Sequence, residues 1–293
     1  MDQITIAPYS VQSVVETLEV KNTTNLLKIK CEEMWNQGYT GKGMTVAVLD
    51  TGCDITHPLL KDKIAGTINY TSNIPTSVVD KNGHGTHVCG IVAGDRVGVA
   101  PDAKILVVKV LGNNGNGSYD NIVKGIDYAV EHGADIINLS LGGSQDYAPL
   151  HAAIQRAIIY GVSVVVASGN NGDLDPNTDE IYYPAYYEEV IEVGAIDYDD
   201  TAARFTNSNI HLDVCSYGVN IESSYPSDRK AVCSGTSQAA PHVSGALCLL
   251  KQKFIAEQGR KPSEIELYNE LIKCTQSIPG TDKRLQGNGK IQF

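Results

Sequence analysis

Met44-Thr-Val-Ala-Val-Leu-Asp50 is apolar at almost every position and ends on a carboxylate. A strand with one solvated face alternates, whereas a strand covered on both faces does not. This run therefore predicts a strand inside a parallel sheet. Runs of the same kind follow at Lys104–Val110, Asp135–Leu139, Val162–Ala167 and Val190–Val193. Helical patterns lie between them. Tyr119–Glu131 starts after Ser118, a candidate cap, with Gly133 beyond its end, and Leu150–Tyr160 stops at Gly161. This alternation predicts an α/β fold, a doubly wound, mostly parallel sheet with helices on both faces. In such sheets the functional loops lie beyond the carboxyl ends of the strands, where Asp50, Ser140 and Ser168–Asn170 fall.

The chain has 293 residues, 42% of them hydrophobic, enough for one large domain. Residues 1–30 precede the first strand and read as an appended arm, and residues 31–293 as the domain. Basic residues number 23 and acidic ones 34, a net charge of −11. That balance argues against a phosphate-backbone binder, so no nucleic-acid partner is expected, and a weak preference for neutral or basic peptides follows from long-range attraction. The longest apolar stretches, such as Val162–Ala167, are far shorter than a bilayer span, so no membrane partner is expected either. The opening Met-Asp-Gln-Ile-Thr-Ile lacks a basic segment followed by an apolar run, and no secretory signal is expected. The seven cysteines are odd in number and include no C-x-x-C pair. They read as buried small apolar residues in a reducing compartment, which points to the cytoplasm.

Three segments carry chemistry: Val48-Leu-Asp-Thr-Gly52, Asn82-Gly-His-Gly-Thr-His87 and Ser234-Gly-Thr-Ser-Gln-Ala-Ala-Pro-His242. Each has a bland reading when taken singly. An Asp after a strand is often a turn residue. His84 and His87 have the spacing of metal ligands, but no H-E-x-x-H and no third ligand lies nearby. Gly-Thr-Ser before a helix is often an N-cap. Together they supply an acid, a histidine and a serine in an order known for nucleophilic acyl transfer. A serine hydroxyl is a weak nucleophile until a base takes its proton. A neutral imidazole does that near pH 7, and a carboxylate holds the ring in the right tautomer.

These three segments resemble the Asp, His and Ser motifs of the subtilisin family of serine proteases. The likeness runs from about Trp35 to about Leu250 and includes Ile126–Gly143 and Ala167-Ser-Gly-Asn-Asn-Gly172. It implies Asp50 as orienting carboxylate, His84 as general base, Ser237 as nucleophile and Asn170 as oxyanion-hole donor. Peptide or protein substrates are implied, bound as an added strand between Gly115-Asn116-Gly117 and Ser140-Leu141-Gly142. Where the family has Met after the serine, this chain has Gln238, so activity with less sensitivity to oxidation is expected.

The departures from the family pattern set further expectations. Tyr182 precedes Tyr183-Pro184 where the family places a small residue at the base of the pocket for the residue before the cut. A phenol there fills the pocket and favours Ala, Ser or Gly at that subsite, unless the ring turns out to solvent. The family's loop for calcium before Gly98-Val-Ala-Pro101 looks deleted, and its Asp is Leu59 here, so that calcium site is expected to be absent. A second calcium candidate is the acidic loop Gly172–Glu180, with Asp173, Asp175, Thr178 and Glu180 as ligands; the alternative is a solvated acidic loop. Ile6-Ala-Pro-Tyr9 resembles the Leu-Ile-Pro-Tyr motif in the short propeptide of bacterial intracellular subtilisins. In those proteins the segment lies across the cleft and its proline bends the backbone away from the serine. That implies inhibition by residues 1 to about 20, against the alternative of a disordered terminus. The same relatives dimerise through a C-terminal extension, whereas this chain ends at Gly289-Lys-Ile-Gln-Phe293, which leaves a dimer in doubt. Cys53 and Cys89 follow the Asp and His motifs and read as buried apolar residues or as thiols close to the triad.

The resulting expectation is an intracellular serine endopeptidase acting through an acyl-enzyme. Two alternatives stand beside it: a dedicated leader-peptide processing protease of the same family, and a non-catalytic relative that uses the cleft only for binding.

Overall fold

A computed structural model describes residues 3–16 and 23–293. In chain order, β1 (Gln3–Thr5) and β2 (Ser10–Val15) form the arm, followed by α1 (Thr24–Ile29), α2 (Cys31–Trp35), β3 (Thr45–Asp50), β4 (Ile64–Asn69), α3 (His84–Ala93), β5 (Lys104–Lys109) and β6 (Asn116–Ser118). The middle of the chain supplies α4 (Tyr119–Glu131), β7 (Ile136–Leu139), α5 (Ala148–Ile159), β8 (Ser163–Ala167) and β9 (Ile191–Ile196). The last part holds β10 (Val214–Tyr217), β11 (Ile221–Tyr225), β12 (Arg229–Ser234), α6 (Thr236–Gln258), α7 (Glu264–Lys273), β13 (Thr275–Gln276), α8 (Lys283–Gln286) and β14 (Lys290–Ile291).

Nine strands make the central sheet, in the order β13-β14-β10-β9-β8-β7-β3-β5-β4. Every pairing in it is parallel except that of β13 with β14 at one edge. The unbroken apolar run of β3 now has its reason. Val46 and Val48 face the core built with α3 and α6, whereas Ala47 and Leu49 face the core built with α4 and α5. The first residues of α6, from Thr236 to Lys251, are all buried, so this helix is enclosed rather than amphipathic. On the other face α4 begins as its sequence implies, with the Ser118 hydroxyl accepting from the N–H of Asn121 at 3.2 Å.

Each apolar run is a strand, to within a few residues at its ends. The strands β10 to β12 and the pairing of the arm have no counterpart in the local pattern. The body also begins earlier than residue 31: Leu26 and Ile29 of α1 sit in the same core as Val46. The arm lies on the body at two places. β1 pairs antiparallel with β6, and β2 adds to β12 to complete a small sheet of order β11-β12-β2. No helix among the described residues is long and apolar enough to cross a membrane.

Candidate active site

The three chemical motifs converge at the carboxyl edge of the central sheet. Asp50 is the last residue of β3, His84 the first of α3, and Ser237 the second of α6. Asp50 and His84 are 1% and 0% exposed. The Nδ1 atom of His84 lies 2.8 and 2.9 Å from the two carboxylate oxygens of Asp50. An ionised carboxylate only accepts, so Nδ1 carries the hydrogen and Nε2 is left with the basic lone pair. This approach needs Gly85: a Cβ there would stand 2.2 Å from the carbonyl oxygen of Gly52 and 3.1 Å from Oδ1 of Asp50.

Asp80, which the sequence pattern did not single out, holds this geometry. It is buried, and its Oδ1 accepts from the Thr51 hydroxyl at 2.9 Å and the Gly83 N–H at 2.8 Å. Its Oδ2 accepts from the N–H and hydroxyl of Thr86 at 2.9 and 2.7 Å. One carboxylate thus ties the turn after β3 to the first turn of α3, which is how Asp50 and His84 are kept at contact distance. An Asp four residues before a helix-opening His is the only local signal for it.

Asn170 follows β8. Its Oδ1 accepts from the N–H and hydroxyl of Thr236 at 2.8 and 2.9 Å, which turns its Nδ2 hydrogens toward the cleft. Asn207 braces the same loop, donating to Ser168 O at 2.8 Å and accepting from the Asn171 N–H at 2.7 Å. Asn207 and Thr236 are further site residues that sequence reasoning missed, because their contacts cross tens of residues.

The arm occupies the cleft. Thr5 and Gly142 exchange backbone hydrogen bonds of 3.0 and 2.8 Å, and the Ile6 N–H donates to Gly115 O at 3.0 Å. Thr5 faces Asn116 and Ile4 faces Gly117 in the register of β1 with β6. Gly115, Asn116, Gly117 and Gly142 therefore border the arm, whereas Ser140 is hydrogen-bonded to Ser237. Leu141 differs in that its side chain is buried in the core. The Nδ2 of Asn170 donates to the carbonyl oxygen of Pro8 at 2.8 Å. The Tyr9 and His84 rings meet at 66°, with centroids 4.7 Å apart. With the arm in place, His84 Nε2 has no hydrogen-bond partner among the described residues, and the Ser237 hydroxyl donates to Ser140 O at 3.3 Å.

Tyr182 does not turn out to solvent. It is 8% exposed, and its ring lies where a Cβ on Gly142 would be, 2.3 Å from that position. Burial pushes its phenol up to about 12. Gln238 is fully buried beside Gly235, and neither end of its amide is hydrogen-bonded among the described residues.

His87 is bound into the core beside β11 and β12. Its Nε2 contacts the carbonyls of Ile221 and Ala231, both at 3.1 Å, and burial lowers its pKa to about 3. That makes it a neutral core residue. Cys53 and Cys89 are buried free thiols, and a hydrogen bond to Cys53 together with burial raises the Cys89 pKa well above that of an ordinary thiol. In the loop 172–180, the Oδ1 of Asp173 and the Oε1 of Glu180 both accept from the Thr178 hydroxyl, at 3.2 and 2.9 Å. Asp175 instead turns its Oδ1 onto the N–H and amide of Asn177. These hard oxygen donors suit calcium in kind, but no three His, Cys, Asp or Glu side chains converge there or elsewhere among the described residues.

The subtilase family profile matches residues 41–289. The intracellular serine protease of Paenibacillus polymyxa is 47% identical over 272 residues, covering 90% of this chain and 82% of that one. The major intracellular serine protease of Bacillus subtilis (strain 168) is 44% identical over 297 residues, covering 98% and 92%. Subtilisin Savinase of Lederbergia lenta is 39% identical over 269 residues, covering 90% and 94%. With its fold, its converging motifs and these relatives, the chain is a subtilisin-like serine endopeptidase and belongs to the subtilase family.

Proposed function

We propose that the chain cleaves peptide bonds through an acyl-enzyme on Ser237. Nε2 of His84 takes the proton of the Ser237 hydroxyl as Oγ attacks the carbonyl carbon. Asp50 orients the ring and stabilises the imidazolium. The oxyanion accepts from Asn170 Nδ2 and from the N–H of Ser237, which at the start of α6 has no helical acceptor. The imidazolium then protonates the leaving amine, and water, deprotonated by the same ring, hydrolyses the ester. The observation that carries this reading is the 2.8 Å contact of Asn170 with a peptide carbonyl, made beside the Asp50–His84 pair. A fluorophosphonate probe tests it: it should label the wild type and not Ser237→Ala. No labelling of the wild type would instead support a peptide-binding relative without catalysis.

The arm is proposed to inhibit, and its register supports its escape from cleavage. Antiparallel pairing of Thr5 with Gly142 would put Ala7 opposite Ser140 in a regular strand. The Ser140 carbonyl lies against the nucleophile, so the carbonyl of the residue facing it would be the one attacked. The carbonyl at Asn170 belongs instead to Pro8, one residue out of step. Proline has no N–H to give Ser140, and the Ser237 hydroxyl takes that acceptor, turned from its base.

The buried Tyr182 ring against Gly142 supports a preference for Ala, Ser or Gly before the cut. A narrow preference of this kind also suits a leader-peptide processing role, and cleavage-site profiling on a denatured proteome separates it from general turnover. Two relatives are named intracellular, which supports action inside the cell. Calcium at Asp173, Asp175, Thr178 and Glu180 is proposed on donor chemistry alone. Adding calcium should raise the melting temperature, and Asp173→Asn should remove the rise.

A further inference from the structure

Past Pro8 the arm does not leave the body. Two residues on, Ser10 pairs with Ser234, and the pairing continues along β12 to Val15 opposite Lys230. β11 holds the other side of β12, so β2 is what covers its second edge. β12 runs directly into Gly235, Thr236 and the nucleophile Ser237. The carbonyl at Asn170 marks the point of cleavage. The arm residues after Pro8 therefore occupy the side on which a substrate's leaving half would lie.

The attachment is mainly through backbone, with two side-chain contacts: the Gln12 amide lies 2.8 Å from the Ser234 hydroxyl, and Glu16 pairs with Arg229 at 3.9 Å at the far end. Residues Ser10 to Val14 are exposed, and Val11 and Val14 are each 42% exposed although apolar. On the other side of the cleavage point, Ile4 and Ala7 are 0% and 1% exposed. An edge that holds a strand without burying its side chains does not discriminate sequence. It binds any chain able to extend and offer its N–H and C=O groups. The one irregularity in the ladder, between Val232 and Cys233, is opposite Gln12 of the arm and is a property of the arm's spacing.

We propose that the β12 edge, Arg229–Ser234, binds the downstream half of the substrate as an added antiparallel strand once the arm is displaced. The fitting substrate is an extended, unfolded polypeptide with several residues beyond the cut, read there by its backbone and not by its side chains. This rests on the protease reading above, and the occupant follows from the continuity of the edge with the cleft.

The test uses the full chain, intact and with its arm clipped, and fluorogenic peptides with the same residues before the cut and two or seven after it. The expected result is a kcat/KM at least tenfold higher for the longer peptide, carried mainly by KM. N-methylation of downstream amides should abolish the gain, and changing the side chains at those positions should preserve it. Equal kcat/KM for both lengths, with the short peptide turned over, overturns the proposal and leaves the protease reading standing. A gain that follows the downstream side chains overturns it too. Failure to turn over either peptide, with no fluorophosphonate labelling, removes both.

Discussion

On one side of the cleavage point the arm buries Ile4 and Ala7, and Ile4 joins the core that contains Leu49 and Leu139. On the other side Val11 and Val14 stand half in solvent while their backbone is tied to β12. The same segment is thus held by backbone pairing on both sides, with buried aliphatic side chains added upstream of Pro8 and, beyond the Tyr9 ring against His84, mainly main chain downstream. The difference has a physical source. The upstream half lies between β6 and the Ser140–Gly142 turn, both backed by the main core, so side chains that enter are desolvated. The downstream half lies on the outer edge of a three-stranded sheet, where only N–H and C=O groups await a partner. Selectivity is therefore expected upstream, and tolerance downstream.

Substitutions on either side of Pro8 test this contrast. The largest effect belongs to the centre that both halves share. Ser237→Ala should lower kcat by about 10⁶-fold, the size associated with nucleophile loss in this family, measured with any peptide. Asn170→Ala should lower kcat by about 10²–10³-fold, again a family magnitude, with little change in KM. It also removes the contact with Pro8, so the arm should be clipped more readily by an added protease.

Upstream, Tyr182→Gly should shift the ratio of kcat/KM for Phe over Ala before the cut by about 10- to 100-fold toward Phe. Because a ratio is read, any loss of folded enzyme cancels. An unchanged ratio would show that the buried phenol does not line the pocket. The smallest effect is Pro8→Ala. It supplies an N–H at the residue whose carbonyl meets Asn170; a hydrogen bond from it to Ser140 O would be worth about 1 kcal/mol, so self-cleavage of the arm should be roughly fivefold faster by mass spectrometry. Unchanged arm survival would mean that the one-residue offset does not protect it.

Much of this site is legible in local sequence. The apolar runs of β3, β5, β7 and β8 are local signals, as is the Ser118 cap of α4. The catalytic motifs lie at the carboxyl ends of those strands, where parallel sheets place functional loops. Asp80 was not legible, because its work is done through hydrogen bonds to Thr51, Gly83 and Thr86 on two different elements. Asn207 and Thr236 were hidden for the same reason. β2 was missed because Ser-Val-Gln-Ser-Val-Val keeps its side chains largely exposed and shows no core-facing alternation.

Local sequence was enough for the inner parallel strands, the order of the motifs and the residue types available for acyl transfer. These are properties of short windows: continuous hydrophobicity, caps, and glycines where backbone must approach closely. Long-range packing alone sets Pro8, rather than Ala7, at Asn170, turns Tyr182 inward and carries the arm along β12. Those outcomes rest on pairings between residues far apart in the chain, such as Ser10 with Ser234. Backbone hydrogen bonds carry no side-chain signature, so nothing in the local pattern announces where such a strand will dock.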